Sequence, residues 1–358
     1  MPPTVCKALP YSSIHFPVCE STHRWALDNL RVLVSNHGLS STRPVRVSTD
    51  SQTRGVGQPI KNQTLAGEFK TWANSSGNVF VTFVFPWLQR KMDSVVNLPQ
   101  VASVAIVQTL QKIGVDSKVK WVNDVMVNGK KIAGVLCNAT GYRLPSTDSN
   151  EEFTAVLVSV GLNVKSTPTL EASEFQPITS IADELQQSDV EASAVLDLLS
   201  IELYRTMGIF ESRGFDSIHS ALEQILIGQG TLVSIQQPAI SPTSSSCDKL
   251  PNDEIFGKFI GLCPKSGSLL LKTVNSDTPV EVIGGRIRRG TIRRVIRKQN
   301  LARSSAIARI LSADKLVSFD EFNESDREAE EGSNFGGPHE SWLSSFTHTR
   351  AQIRQIVG

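Results

Sequence analysis

One dipeptide, Asn128-Gly129, restricts this chain more than any other feature. A two-residue type I′ turn needs positive φ at both of its positions, and Asn-Gly is the pair that adopts it at least cost. Runs rich in β-branched residues flank it in the stretch KVKWVNDVMVNGKKIAGVL, Lys118 to Leu136, so the sequence predicts a β-hairpin. A turn at 128 and 129 sets Val127 opposite Lys130, Met126 opposite Lys131 and Asp124 opposite Ala133. Strand alternation then places Val125, Val127 and Ile132 on one face and Asp124, Met126, Lys131 and Ala133 on the other. Asp124 and Lys131 become diagonal neighbours, roughly 7–8 Å apart at the backbone, a gap that a lysine spans. Spacing alone makes this no more than a surface ion pair.

The wording of the whole stretch says more. Lys120-Trp121-Val122-Asn123-Asp124, followed by Gly129-Lys130-Lys131-Ile132-Ala133-Gly134-Val135-Leu136, resembles the signature of biotin–protein ligases, also called holocarboxylase synthetases. There the pattern is Lys-Trp-Pro-Asn-Asp, a hairpin, then Lys-(Ile/Leu)-Ala-Gly-(Ile/Val)-Leu, and the catalytic lysine directly precedes Ile/Leu-Ala-Gly. The resemblance therefore implies Lys131 as the catalytic lysine, with Asp124 orienting it or helping to hold Mg²⁺. Val122 stands where the family has proline.

Other motifs recur in the family's order. Ser21 or Thr22 can cap a helix with Ala26, Leu30, Leu33 and Val34 inward and Gly38 at its end, and the family uses a Ser-Thr pair here to bind the ureido ring of biotin. Thr49 to Gln58 reads as a polar glycine loop that resembles the biotin loop Gln-(Thr/Gln)-x-Gly-Arg-Gly-Arg: Gln52, Gly55 and Gly57 match, whereas Val56 and Gln58 replace the two arginines. The family soon closes this loop with Arg-x-Trp; here about a dozen residues precede Lys70-Thr71-Trp72. Lys70 would keep the charge without the guanidinium fork, and Trp72 would stack on adenine. Lys61, three residues beyond Gln58, is a candidate to replace the missing charge. Val160-Gly161-Leu162-Asn163-Val164 resembles the family's active-site Gly-(Ile/Leu)-Asn-Val, and Pro177 to Ile181 its Ala-Thr-Ser-Leu, with Thr179 or Ser180 capping a short helix. The implied site is thus Lys131 and Asp124 for catalysis; Ser21, Thr22, Gln52, Gly55, Gly57, Lys131 and Gly134 for biotin; Lys70, Trp72, Asn123 and Asn163 for the nucleotide; and Asp124 for Mg²⁺.

Composition narrows the classes. A net charge of +1 gives no global pull towards nucleic acid or membrane, and neither is expected as a partner. Five cysteines without Cys-x-x-Cys spacing and six scattered histidines support neither a disulfide framework nor a zinc site. The most apolar run, Val79 to Leu88, is far short of the roughly 18 residues of a membrane span. A reducing, cytoplasmic setting is expected, with organelle import left open.

Along the chain, strands are expected at Pro44 to Ser48, Gly77 to Phe85 and Phe153 to Val164, and helices at Pro99 to Ile113 and at 190–212. Short strands follow at 230–236, 255–262, 268–274 and 280–288, resembling the family's SH3-like C-terminal domain. The expected organisation is an irregular lead-in at 1–20, a catalytic domain at 21–213, an SH3-like domain at 214–298 ending in seven basic residues over 286–298, and a flexible tail at 299–358. The fold class is α+β: the class II synthetase-like mixed sheet of biotin ligases with flanking helices, plus a small β-barrel. The implied activity joins biotin and ATP as substrates, with Mg²⁺ and no tightly bound cofactor, into biotinyl-5′-AMP, and transfers biotin to a lysine on the biotin carboxyl carrier domain of a carboxylase. Two alternatives remain: a lipoate/octanoate–protein ligase, whose Arg-Arg-x-(Ser)-Gly-Gly-Gly loop is missing from the sequence, and a catalytically inactive carrier-binding relative.

Overall fold

The computed structural model describes residues 11–59, 69–72, 75–146, 151–167, 177–236, 254–273, 276, 278–283 and 286–288. Two compact units emerge. Among the described residues the first runs up to Ser117 and from Asn123 to Gly214; the second joins Lys118–Val122 to those from Phe215 onward.

In the first unit, β1 (Ser12–Phe16), α1 (Thr22–Asp28), α2 (Leu30–His37) and β2 (Val45–Thr49) are followed by the short strands β3 (Val56–Pro59) and β4 (Phe69–Thr71). Next come β5 (Val79–Leu88), a 3₁₀ stretch over Gln89–Asn97 and α3 (Leu98–Lys112). β6 (Lys118–Lys120) belongs to the second unit, and the first resumes with β7 (Asp124–Val127), β8 (Lys130–Leu144), β9 (Phe153–Leu162), α4 (Ile181–Leu185) and α5 (Ala192–Arg213). The sheet order is β1-β2-β5-β9-β8-β7. Only β1 and β2 run parallel in it; the remaining described pairs are antiparallel.

Both faces of this mixed sheet are covered. Ala26, Leu30 and Leu33 of α1 and α2 pack on Val45, Val47, Val84 and Leu157 of one face. α3, apolar nearly all round, fits the opposite position, buried between the other face and α5. It opens with Pro99 in its first turn and ends at Gly114, whose φ of 88° suits glycine. Arg46 of β2 donates to Asp197 at 2.7 Å and to the Ser200 hydroxyl at 3.0 Å, fixing α5 to the sheet with two charge-assisted bonds.

Four local expectations change. Residues 12–16, expected to be irregular, form β1: Ile14 and Phe16 alternate onto the α1–α2 cluster, a pattern too short to stand out by period alone. The helix expected from Ser21 to Gly38 divides at Asn29 (φ −112°, ψ 25°), whose side chain donates to the Trp25 carbonyl at 2.8 Å. The hairpin carries a bulge. Val127 and Lys130 pair across the turn, as do Met126 and Lys131, but Ile132 has no opposite number, so Asp124 faces Gly134 and Ala133 faces Val125. Asn128 (φ 48°) and Gly129 (φ 74°) make the turn itself as their sequence dictates.

The fourth change lies in the second unit. It contains β6, α6 (Asp216–Gln224), β10 (Leu232–Gln236), β11 (Glu254–Leu262), β12 (Leu269–Lys272), β13 (Val280–Val282) and β14 (Arg286–Arg288), with an antiparallel sheet ordered β13-β12-β11-β10-β14. The run expected as one strand at 280–288 is two, placed on opposite edges. Val119 of β6 bridges Leu226, and the Trp121–Val122 peptide is cis. Among the described residues no helix is long and apolar enough to cross a membrane.

Candidate active site

The site is built where the hairpin, the glycine loop and the start of α1 meet. β1 and β2 bring the last two together. Their parallel register, Phe16 beside Thr49, continues past both strands to Cys19 beside Gln52. Cys19 N–H donates to the Ser51 carbonyl at 3.0 Å and Arg54 N–H to the Glu20 carbonyl at 2.8 Å. Ser21 and Thr22 are thereby delivered to Gln52. Ser21 caps α1, accepting from Arg24 N–H at 3.4 Å. The Gln52 side-chain oxygen accepts from the Thr22 N–H at 2.9 Å and from its hydroxyl at 3.3 Å. All three residues are buried.

The hairpin supplies the charges. Lys131 Nζ lies 2.5 Å from Asp124 Oδ1, with the side chains 21% and 14% exposed, so the pair is neither a surface bridge nor sealed from ligand. The bulge at Ile132 falls between Lys131 and Gly134, the residue opposite Asp124, yet the lysine side chain still spans the gap. Three neighbours fix the lysine's backbone: its N–H donates to the Pro177 carbonyl at 2.8 Å, its carbonyl accepts from Thr179 N–H at 3.0 Å, and the next carbonyl, of Ile132, accepts from Asn163 N–H at 2.9 Å. Asn163 also donates its side-chain N–H to the Thr179 carbonyl at 2.9 Å, and Asn123 donates to the Val135 carbonyl at 2.7 Å. These two amides thus brace the hairpin, and any ligand contact by them would fall mainly to their oxygens. Ser180 caps α4, and Glu184 on that helix accepts from Thr179 at 2.5 Å and from Asn128 at the turn at 3.4 Å.

Trp72 forms the wall. Its ring lies across the backbone of Gly134 and Gly161, facing residues of β8 and β9. A Cβ on Gly134 would sit 2.8 Å from the ring and 3.1 Å from Lys131 Nζ; one on Gly161 would come closer still to the ring. Lys131 Nζ stands 5.1 Å from the ring centroid, within cation–π range. The loop closes beneath: Trp72 N–H donates to the Gly55 carbonyl at 2.9 Å, and a Cβ on Gly55 would stand 2.8 Å from the Trp72 carbonyl and 3.0 Å from Gln52 Nε2. Gly57 follows in β3, where Val56 pairs with Thr71. Arg54 is exposed, 3.9 Å from Glu20. Lys61 and the side chains of Gln58 and Lys70 lie outside the described residues.

A second polar layer, absent from the sequence reading, lies behind Thr22. Thr82 donates to the Thr22 hydroxyl at 3.0 Å, Ser159 stands 2.8 Å from the Thr82 oxygen, and His23 Nδ1 stands 2.8 Å from the Ser159 oxygen. Burial, with a lesser push from neighbouring Arg24, lowers the His23 pKa to about 4, so the ring is neutral near pH 7. The signal in the sequence was a single hydroxyl inside each of two apolar strands, Thr82 in VFVTFVF and Ser159 in AVLVSVGL. Gly161 was likewise visible as a motif residue, but its work as floor for Trp72 was not.

Among the described residues no three His, Cys, Asp or Glu side chains converge on a metal site. Asp124 is a carboxylate that could share in holding a Mg²⁺ ion that keeps most of its waters.

Comparison with known proteins fits this geometry. A model of the biotin/lipoate A/B protein ligase family matches residues 60–149, the span that holds Trp72 and the hairpin. The bifunctional ligase/repressor BirA of Bacillus subtilis is 22% identical over 261 residues, covering 73% of this chain and 69% of its own. A biotin–[acetyl-CoA-carboxylase] ligase of Paracoccus denitrificans is 26% identical over 211 residues, 57% of this chain and 77% of its own. In fold, the biotin protein ligase of Aquifex aeolicus, solved with biotin and ATP, superposes with a TM-score of 0.55 at 20% identity, over 77% of this chain and 97% of that one. Over residues 60–149 the chain is thus similar to the biotin/lipoate A/B protein ligase family. The relatives it resembles are biotin ligases, and the chain is a ligase.

Proposed function

We propose that the protein joins biotin to ATP, forming biotinyl-5′-AMP and pyrophosphate, and then passes biotin to a lysine of a biotin carboxyl carrier domain. The observation that carries this reading is the Lys131–Asp124 pair, 2.5 Å apart on the hairpin and half-enclosed by Trp72 over a glycine floor. The carboxylate of biotin and the α-phosphate it attacks are both anionic, and their repulsion is the main barrier to approach. A cation held between them, in a site drier than bulk water, stabilises the charge that gathers there. Lys131 is that cation. Asp124 orients its ammonium and would help to hold a Mg²⁺ ion, which would supply further positive charge at the phosphates. Thr22 and Gln52 bind the ureido ring, helped by Ser21, Gly55, Gly57 and Gly134; Trp72 stacks on adenine, and Lys70, Asn123 and Asn163 flank the nucleotide. Transfer follows when the carrier lysine's amine attacks the mixed anhydride, forming an amide and releasing AMP.

The antiparallel sheet of the second unit is assigned as the SH3-like module, and the domain limits as 21–213 and 214–298. Pyrophosphate release from ATP tests the reading. Biotin should support it, whereas lipoate and octanoate should not; release with lipoate or octanoate instead would move the protein to the lipoate branch, and release with none would mark an inactive relative.

A further inference from the structure

We propose that His23 is a positioning residue: with its proton on Nδ1 it completes and holds a one-way chain of hydroxyl protons that leaves Thr22 an acceptor towards the bound ligand. The inference rests on the biotin-ligase reading for its ligand, but its direction follows from counting protons.

The Thr22 backbone N–H donates to Gln52 at 2.9 Å, which fixes that atom as the amide oxygen, since an amide nitrogen does not accept. The Thr22 hydroxyl, 3.3 Å from the same oxygen, must therefore donate to it. With its single proton spent, it can only accept from Thr82 at 3.0 Å. Thr82 has then spent its proton, so Ser159 donates to Thr82 at 2.8 Å; Ser159 has now spent its own, so His23 Nδ1 donates to Ser159 at 2.8 Å. His23 must hold its proton on Nδ1. His23 is 7% exposed, and it accomplishes this as a neutral group.

The consequence appears at Thr22. Its oxygen donates once and accepts once inside the protein, and the lone pair that remains can take only a donor. A ligand that presents an N–H, as a cyclic urea does, is favoured at that point over one that presents a carbonyl or methylene, because an unmatched buried acceptor is costly. Chains of this kind act as a unit, since each bond polarises the next.

Two measurements on the full-length protein test this. In biotin-dependent pyrophosphate release, His23→Phe, which removes the donor, should raise the KM for biotin about five- to twenty-fold while kcat changes less than about two-fold. His23→Asn, which can still donate, should restore most of the loss. Ser159→Ala should match His23→Phe, and the double variant should be no worse than Ser159→Ala alone. Equal KM increases from His23→Phe and His23→Asn, or additive losses in the double variant, would overturn the proposal. Nitrogen NMR of the histidine rings decides independently of substrate, and of whether His23→Phe folds: His23 should be the Nδ1–H tautomer in the wild type, and finding Nε2–H would reverse the chain and sink the idea. If the wild type shows the Nδ1–H ring but no biotin-dependent release, the ligase reading fails while the chain stands.

Discussion

Substituting Gly161 by alanine offers a sharp test of how the site is walled. The new Cβ would lie 2.6 Å from Trp72 Cζ2 and 2.7 Å from Nε1, where ordinary contacts start near 3.5 Å, so the ring must retreat by roughly 1 Å. Overpacking of this order costs about 1–3 kcal/mol. Retreat also weakens the contact with Lys131 Nζ, 5.1 Å from the ring centroid, worth about 0.5–1 kcal/mol at a partly exposed site. Gly161 does not adopt positive φ, so alanine brings no backbone penalty, and by narrowing the unfolded ensemble it should stabilise by about 0.4–1 kcal/mol once the ring is gone. The sign of the effect should therefore depend on Trp72: destabilising in the wild type, neutral to stabilising in Trp72→Ala. Urea denaturation of the wild type, both single variants and the double variant measures the coupling directly, provided the m-values agree. An equal cost in both backgrounds would show that Trp72 does not lie on Gly161.

Three further outcomes are expected. Trp72→Ala should weaken ATP by about 1–3 kcal/mol, the worth of a base stacked on an aromatic ring, with biotin changed less; a fall in melting temperature at unaltered ATP affinity would make Trp72 a packing residue only. His23 titrates near 4 when folded against 6.5 when unfolded, so its neutral form favours the fold; stability should hold above pH 6.5 and decline by about 3 kcal/mol as pH falls towards 4, and His23→Asn should remove that decline from the stability–pH curve. Val56 and Gln58 bring no charge to the loop, and a charge-assisted phosphate contact is worth about 1.5–3 kcal/mol, so the wild type should leak reactive intermediate onto lysines of an added inert protein and Gln58→Arg should suppress it. Tight retention in the wild type would point to another cation, with Lys61→Ala the variant that checks it.

The hairpin was readable because its information is local: Asn128-Gly129 sets the turn, and the two pairs beside it, Val127 with Lys130 and Met126 with Lys131, follow directly. The register beyond was not, since nothing in Ile132 announces a bulge and β7 buries Val125, Met126 and Val127 alike, leaving no polar face to reveal the slip. Lys131 and Asp124 meet despite the shift because a lysine side chain is long enough to span one extra residue of ladder. β1 was missed, and with it the reason Ser21-Thr22 and Gln52 meet; parallel pairing depends on a partner some thirty residues away and carries no turn signal. The chain through Thr82, Ser159 and His23 was hidden for the same reason. Each hydroxyl is unremarkable alone, and only sheet register brings them into line.

The central claim is that Lys131, and not its neighbour Lys130, carries the chemistry. Lys130 is exposed opposite Val127, whereas Lys131 is held against Asp124 and Trp72. Biotin-dependent pyrophosphate release by Lys131→Ala and Lys130→Ala, measured side by side, tests it most directly. Lys131→Ala should lose about 10²–10³-fold in rate, the scale of removing one preorganised electrostatic contact, and Lys130→Ala less than about three-fold. Similar losses from the two variants, or a larger one from Lys130→Ala, would contradict the account.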